Sequence, residues 1–177
     1  MMNFDTPCRL RSRVLLPVRP SHAPMKMKRE KIRFDVITIF PNIFSSYLEE
    51  SLIKRARKKG ILDVRICNLR DFAVGRHNQV DDRPFGGGPG MVFQLPPIYR
   101  AVEALKSKFL RQRLIRLRRK NPKTKKHRAV RVILFSTRGK KLNAKMAKRL
   151  ARYRQLILIC GRYEGVDERV AEHLVDE

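Results

Sequence analysis

An α/β fold, with a mostly parallel sheet flanked by helices, is what this sequence predicts, and three observations predict it. Short apolar runs rich in β-branched residues alternate along the chain with segments of helical periodicity. One of those runs, Leu156-Ile157-Leu158-Ile159-Cys160, is apolar on both faces, as suits a parallel strand covered on each side. The length of 177 residues, 42% of them hydrophobic, makes one domain with a real core and is too short for two comfortable ones.

The elements follow in order. Residues 32–40 are β-branched and aromatic and are closed by Pro41, as a buried strand should be. Ile43, Phe44, Tyr47, Leu48, Leu52, Ile53 and Ala56 recur at helical spacing, predicting a single helix. It ends at Gly60 after a basic last turn, in keeping with its dipole. Leu62, Val64 and Ile66 then alternate with Asp63, Arg65 and Cys67 in a second strand. Between Asn68 and Gly90 the pattern dissolves into a long polar, Gly-rich segment. A second helix opens at Pro96-Pro97, where proline is tolerated in the first turn, and buries Ile98, Val102, Leu105 and Phe109. It runs into a basic segment and breaks near Asn121-Pro122. Residues 130–135 form a third strand, Asn143 caps another helix, and residues 156–160 form the fourth strand. The order is β-α-β-loop-α-β-α-β, with no internal repeat. In such sheets ligands bind beyond the carboxyl ends of the strands, which places the chemistry at residues 136–140 and 161–167.

The formal net charge of +26 names a class of partner. A surface this positive collects polyanions, RNA above all, and releases their counterions. An anionic membrane is the weaker candidate, because the charge is not laid out on one amphipathic helix. Residues 1–30 carry seven Lys/Arg against two acids, residues 106–128 carry twelve against none, and the last sixteen residues turn mildly acidic. No apolar stretch approaches the roughly 20 residues that cross a bilayer. Cys8, Cys67 and Cys160 are scattered and odd in number, so neither a zinc site nor a disulfide framework is supported, and a reducing, cytoplasmic setting is expected. Met25 and Met27 stand just before the first strand, so residues 1–30 are expected to be a disordered leader or an upstream mis-start.

Two segments carry candidate chemistry. In Val80-Asp81-Asp82-Arg83-Pro84-Phe85-Gly86-Gly87-Gly88-Pro89-Gly90-Met91, four glycines in five positions let the backbone approach a ligand and present its N–H groups, or simply make a flexible connector. It has neither Walker nor GxGxxG spacing. Cys160-Gly161-Arg162-Tyr163-Glu164-Gly165-Val166-Asp167-Glu168-Arg169-Val170 leaves a buried strand through a glycine and enters a helix. There Glu164 can meet a cationic ligand group and Gly161 can admit an adenosine; the alternative is a plain turn capped by Asp167.

In this order, Phe34-Asp35-Val36-Ile37-Thr38-Ile39-Phe40-Pro41, Asn68-Leu69-Arg70-Asp71-Phe72, His77, residues 81–91 and residues 160–170 resemble the TrmD family of tRNA (guanine-N1)-methyltransferases. The resemblance covers residues 32–170 apart from the basic insert, and its two glycine-rich strings are together very specific. It implies a SPOUT-class fold with a deep trefoil knot near its C-terminal end, binding S-adenosylmethionine in a bent conformation. It also implies an obligate homodimer that methylates N1 of the tRNA guanosine just 3′ of the anticodon (position 37), with help from a magnesium ion. Matching positions put Leu134, Ser136, Thr137 and Gly139 on one wall of the cofactor pocket and Gly161, Tyr163, Glu164 and Gly165 on the other. Asp81 and Gly86, Gly87, Gly88, Pro89 and Gly90 would face the tRNA or the second subunit. No metal-ligating residue is assigned.

The chemistry agrees with those positions. The sulfonium is cationic, so a carboxylate such as Glu164 beside it is favourable. Methyl transfer needs the acceptor nitrogen in line, N1 of guanine must lose a proton to a base, and the base must be splayed out of its stack.

There are departures. The family's pocket-closing loop, general base, catalytic arginine and tRNA-gripping C-terminal domain have no counterpart up to Glu177. Residues 31–177 are therefore expected to form an incomplete SPOUT domain, with weak or absent cofactor binding and no turnover, and no catalytic residue is named. Thr137 stands where the family usually has proline, and residues 106–128 lengthen a connection that is commonly short. That basic insert is either an added grip on tRNA phosphates or a solvated run of charge. A non-catalytic RNA-binding module on the same scaffold is the competing function; a nucleotide-binding protein without an RNA partner fits the charge poorly.

Overall fold

The computed structural model describes residues 31–118, 128–162 and 164–177. The leader expected over residues 1–30, the break at Asn121-Pro122 and the side chain of Tyr163 lie outside the described residues.

Four parallel strands form the central sheet in the order β2-β1-β6-β5: β1 (Ile32–Thr38), β2 (Leu62–Asn68), β5 (Arg128–Phe135) and β6 (Tyr153–Cys160). The expected α/β class and parallel sheet are present. β6 lies between two strands and is largely buried, which is why it reads as apolar on both faces. The main core, around Ile37, Leu69, Phe93, Ile98, Val102, Ile157, Ile159 and Val170, joins one face of the sheet to α3 (Leu95–Arg118) and α5 (Glu168–His173). A smaller cluster of Leu150, Tyr153 and Leu156 packs with Met146 of α4 (Ala144–Leu150). The cap at Asn143 is as expected: its side chain accepts from the Met146 N–H at 2.9 Å.

Two expectations need correction. The single helix after β1 is two, α1 (Ile43–Leu48) and α2 (Ser51–Lys58). Glu50 is extended and Ser51 has a left-handed φ of 44°, so the helical path breaks while the apolar spacing carries across it. Neither helix holds a buried residue, and Ile43, Tyr47 and Leu52 are exposed, with no element of the described chain covering them. The polar segment after β2 is also more ordered than its composition suggests. A short 3-10 helix, Leu69–Phe72, follows β2, and β3 (Asp81–Asp82) pairs antiparallel with β4 (Val92–Phe93).

Inside the sheet lies a polar network that residue patterning did not reveal. Asp35 is fully buried on β1, with Arg33 Nη2 2.8 Å from its Oδ1 and Nε 2.7 Å from its Oδ2. Gln155 of β6, equally buried, donates to Asp35 Oδ2 at 2.7 Å and to the Leu105 carbonyl of α3 at 3.3 Å. Arg33 also donates to Gln112, one helical stretch further along α3, at 3.3 Å. Pairing makes this burial tolerable and fixes α3 on the sheet.

Candidate functional site

β5 and β6 are neighbours in register, with Phe135 opposite Cys160, so the turns that leave their carboxyl ends emerge side by side. After β5, Gly139 N–H donates to the Ser136 carbonyl at 3.2 Å and Arg138 N–H to Ser136 Oγ at 3.2 Å, curling residues 136–139 into a tight turn. After β6, the chain passes through Gly161 and Glu164 to the start of α5. Between these turns opens a cavity of about 710 Å3, lined by Leu134, Phe135, Ser136, Thr137, Arg138 and Gly139 on one side. Gly161, Arg162, Glu164, Gly165, Val166 and Glu168 line the other, and Ala171, Val175, Asp176 and Glu177 complete the wall. That volume falls among ordinary small-molecule sites, which run roughly 300–1,000 Å3.

Two glycines sit in close quarters in these turns. A Cβ on Gly161 would lie 3.3 Å from Val166 Cγ2 and 3.8 Å from the Phe135 carbonyl, and one on Gly139 would lie 3.2 Å from the Ser136 carbonyl.

The lining of the cavity is rich in charge of both signs. Four carboxylates, Glu164, Glu168, Asp176 and Glu177, face it against the guanidiniums of Arg138 and Arg162. Glu168 pairs with Arg138 across the cavity, Asp176 and Glu177 with Arg131, and Glu177 also with Arg149. Glu164 makes no ion pair among the described residues. Arg162 lies over the ring of Phe40, 4.6 Å from its centroid, at the carboxyl end of β1. The last residues run along the outer edge of β5: Glu177 N–H donates to the Val132 carbonyl at 3.3 Å and the Leu134 N–H to the Glu177 carbonyl at 2.8 Å.

The Gly-rich loop is tied to the same place. β4 pairs with the segment beyond β6 through Glu164 N–H to Met91 O (3.1 Å), Phe93 N–H to Gly165 O (3.1 Å) and Asp167 N–H to Phe93 O (2.9 Å). Gly90, at φ 95°, touches the Glu164 side chain so closely that a Cβ there would sit 2.3 Å from Glu164 Cγ. Of the residues expected to face RNA, Gly86, Gly87, Gly88, Pro89 and Gly90 are all exposed. Asp81 is half-buried on β3, paired with Phe93 and thus one strand further from the cavity. Asp167 caps α5, as the plain-turn alternative had it: its Oδ1 accepts from the Arg169 N–H at 3.0 Å. The Arg169 side chain grips the same carboxylate and holds it below the usual aspartate range. Burial pushes the Cys160 thiol up, so it stays protonated beside the cavity.

The model for the family described as "tRNA (Guanine-1)-methyltransferase TrmD" matches residues 32–177. The chain belongs to this family. A tRNA (guanine-N(1)-)-methyltransferase of Moorella thermoacetica is 48% identical over 144 residues, covering 81% of this chain and 51% of that protein. That of Geobacter sulfurreducens is 40% identical over 146 residues, covering 82% and 52%. Among solved structures, the tRNA (m1G37) methyltransferase from Aquifex aeolicus superposes with a TM-score of 0.65 at 38% identity, over 84% of this chain and 58% of that one. The chain thus spans about half the length of the curated relatives it matches.

Within this TrmD-family chain, sequence reading named both turns but missed other members of the cavity wall. Arg138 and Glu168 fell inside the named segments without a role of their own, and Phe135, Asp176 and Glu177 carried no motif; only their places beside the two turns could have found them.

Proposed function

We propose that the cavity between the β5 and β6 turns is one half of an S-adenosylmethionine site in an enzyme that methylates N1 of guanosine 37 in tRNA. The observation that carries this is the convergence of residues 134–139 with Gly161, Arg162, Glu164 and Gly165 on one cavity in a chain of net charge +26. When bound, S-adenosylmethionine supplies an electrophilic methyl group on a cationic sulfonium. The chain's own residues do the rest. Glu164 offers the unpaired carboxylate that a sulfonium or an ammonium prefers. Gly161 and Gly139 keep the two turns free of side chains where a flat purine would lie, and the exposed Arg138–Glu168 pair links the turns. Thr137 stands in the wall where the family usually has proline.

In this reading tRNA approaches on the exposed loop Gly86–Gly90 and Asp81, drawn by the basic surface. Roughly half of each relative lies outside the match, and the knot closure, the general base and the tRNA-gripping domain belong to that half. A homodimer belongs to the reading too: Ile43 and Tyr47, one turn apart on α1, and Leu52 on α2 are apolar surface available to a second copy. Among the described residues no helix is long and apolar enough to cross a membrane, and a cytoplasmic setting is proposed. A magnesium ion finds no cluster of three or more His, Cys, Asp or Glu among the described residues, so no step is assigned to it.

The test is equilibrium binding of S-adenosylmethionine to the chain and to Glu164→Gln. Binding in the millimolar range, weakened several-fold by the substitution with the circular dichroism spectrum unchanged, is expected. Equal affinity in both would remove the carboxylate from the account, and RNA binding with no cofactor binding at all would favour the non-catalytic module.

A further inference from the structure

Phe85 is 92% exposed, the most exposed of the large hydrophobic side chains among the described residues, yet it stands on a braced frame. Its loop leaves β3 through Pro84, whose carbonyl accepts from the Gly87 N–H at 3.0 Å, and returns through β4, which is bonded to residues 164–167. One neighbour supports the ring. The Arg169 guanidinium lies over it, 5.6 Å from the centroid, within cation–π range. Arg169 is itself fixed by two contacts to the Asp167 carboxylate, Nε to Oδ1 at 2.9 Å and Nη2 to Oδ2 at 2.5 Å. A guanidinium locked by a carboxylate loses little freedom when it backs an aromatic ring, so the ring is presented rather than left to wander.

Below this pair is a second cavity of about 530 Å3, walled by Pro84, Phe85, Val92 and Val166 with the Asp167–Arg169 pair at its side. It shares Val166 and Glu168 with the larger cavity, so the two open next to each other.

We infer that Phe85, backed by Arg169, is a stacking shelf for an unpaired nucleobase of the RNA that the neighbouring cavity serves. An exposed apolar ring costs free energy in water unless something covers it, and the chain's charge selects a polyanion as the partner. An unpaired base is the part of RNA with a flat face to offer, and aromatic rings backed by arginine bind such faces without regard to base identity. The shelf is a positioning surface: it holds the strand beside the cofactor cavity and does no chemistry. The inference rests on the reading of the neighbouring cavity as a site acting on RNA.

The experiment compares the chain with Phe85→Ala and Phe85→Trp for binding two probes. One is an RNA hairpin with a 2-aminopurine in its loop, the other a blunt RNA duplex of equal length. The expected result is that the parent and Phe85→Trp quench the 2-aminopurine, while Phe85→Ala loses the quench and binds the hairpin roughly tenfold more weakly. All three should bind the duplex alike, since it offers only phosphates. Hairpin affinity and quenching unchanged in Phe85→Ala would overturn the shelf, and so would a parent that binds hairpin and duplex without distinction. Cofactor affinity, measured separately, reports on the cavity, so a failed shelf beside normal cofactor binding is distinguishable from a failed cavity.

Discussion

Asp35 has no solvent access and two obligations, to Arg33 and to Gln155, and everything that α3 does depends on their being met. Among the described residues its negative charge is paired with the Arg33 guanidinium, itself 5% exposed. Removing one member of such a pair strands the other in a medium that cannot solvate it, at a cost of about 3–5 kcal/mol. Asp35→Ala should therefore lose stability of that order in urea denaturation, while replacing Arg33 and Asp35 together by leucine should recover part of it. A single-variant loss below about 1 kcal/mol would show that the network is incidental. Nothing in the one-dimensional pattern marked these residues as inward, because Arg33 and Asp35 alternate with Phe34 and Val36 just as surface residues would. The inference that did hold at this scale concerned short-range chemistry: Asn143 and Asp167 cap their helices through contacts spanning a few residues.

Among elements, α3 is the one that couples the fold to the charge. Its first half is core, with Ile98, Ala101 and Val102 fully buried, and its second half carries Lys106, Lys108 and Arg111 outward beside the exposed Leu110, Leu114 and Ile115. The Gln112–Arg33 contact shows that this extension continues a helix anchored in the sheet. If the basic half meets RNA phosphates, replacing Lys106, Lys108, Arg111, Arg113 and Arg116 by glutamine should flatten the plot of log affinity against log salt by up to ~1 per residue in contact. A slope unchanged from the parent would mean that the charge is merely solvated. α3 was legible because proline punctuation and a 3.6-residue stripe are strong local signals. The α1–α2 break and the β3–β4 hairpin were not. The first depends on one left-handed residue, Ser51; the second depends on β4 finding residues 164–167, more than seventy positions away.

For the whole molecule, the informative contrast is between a chain of net charge +26 and a cavity whose lining holds four acidic residues and two arginines. The positive chain suits a polyanionic partner, and the cavity carboxylate without an ion pair among the described residues, Glu164, suits a small cation. Both are needed where a cationic methyl donor meets RNA. The parallel order β2-β1-β6-β5 makes this arrangement, since it sets the two glycine-bearing turns on adjacent strand ends. The sequence located those turns through the strand-end rule, whereas the carboxylates of Asp176 and Glu177 joined them only through tertiary folding. The most direct test is an amide NMR titration of the chain with S-adenosylmethionine. The account predicts shifts that grow together in residues 134–139 and 161–165 and leave α2 and α4 untouched. Shifts confined to one of the two turns, scattered over the surface, or absent at millimolar ligand would contradict it.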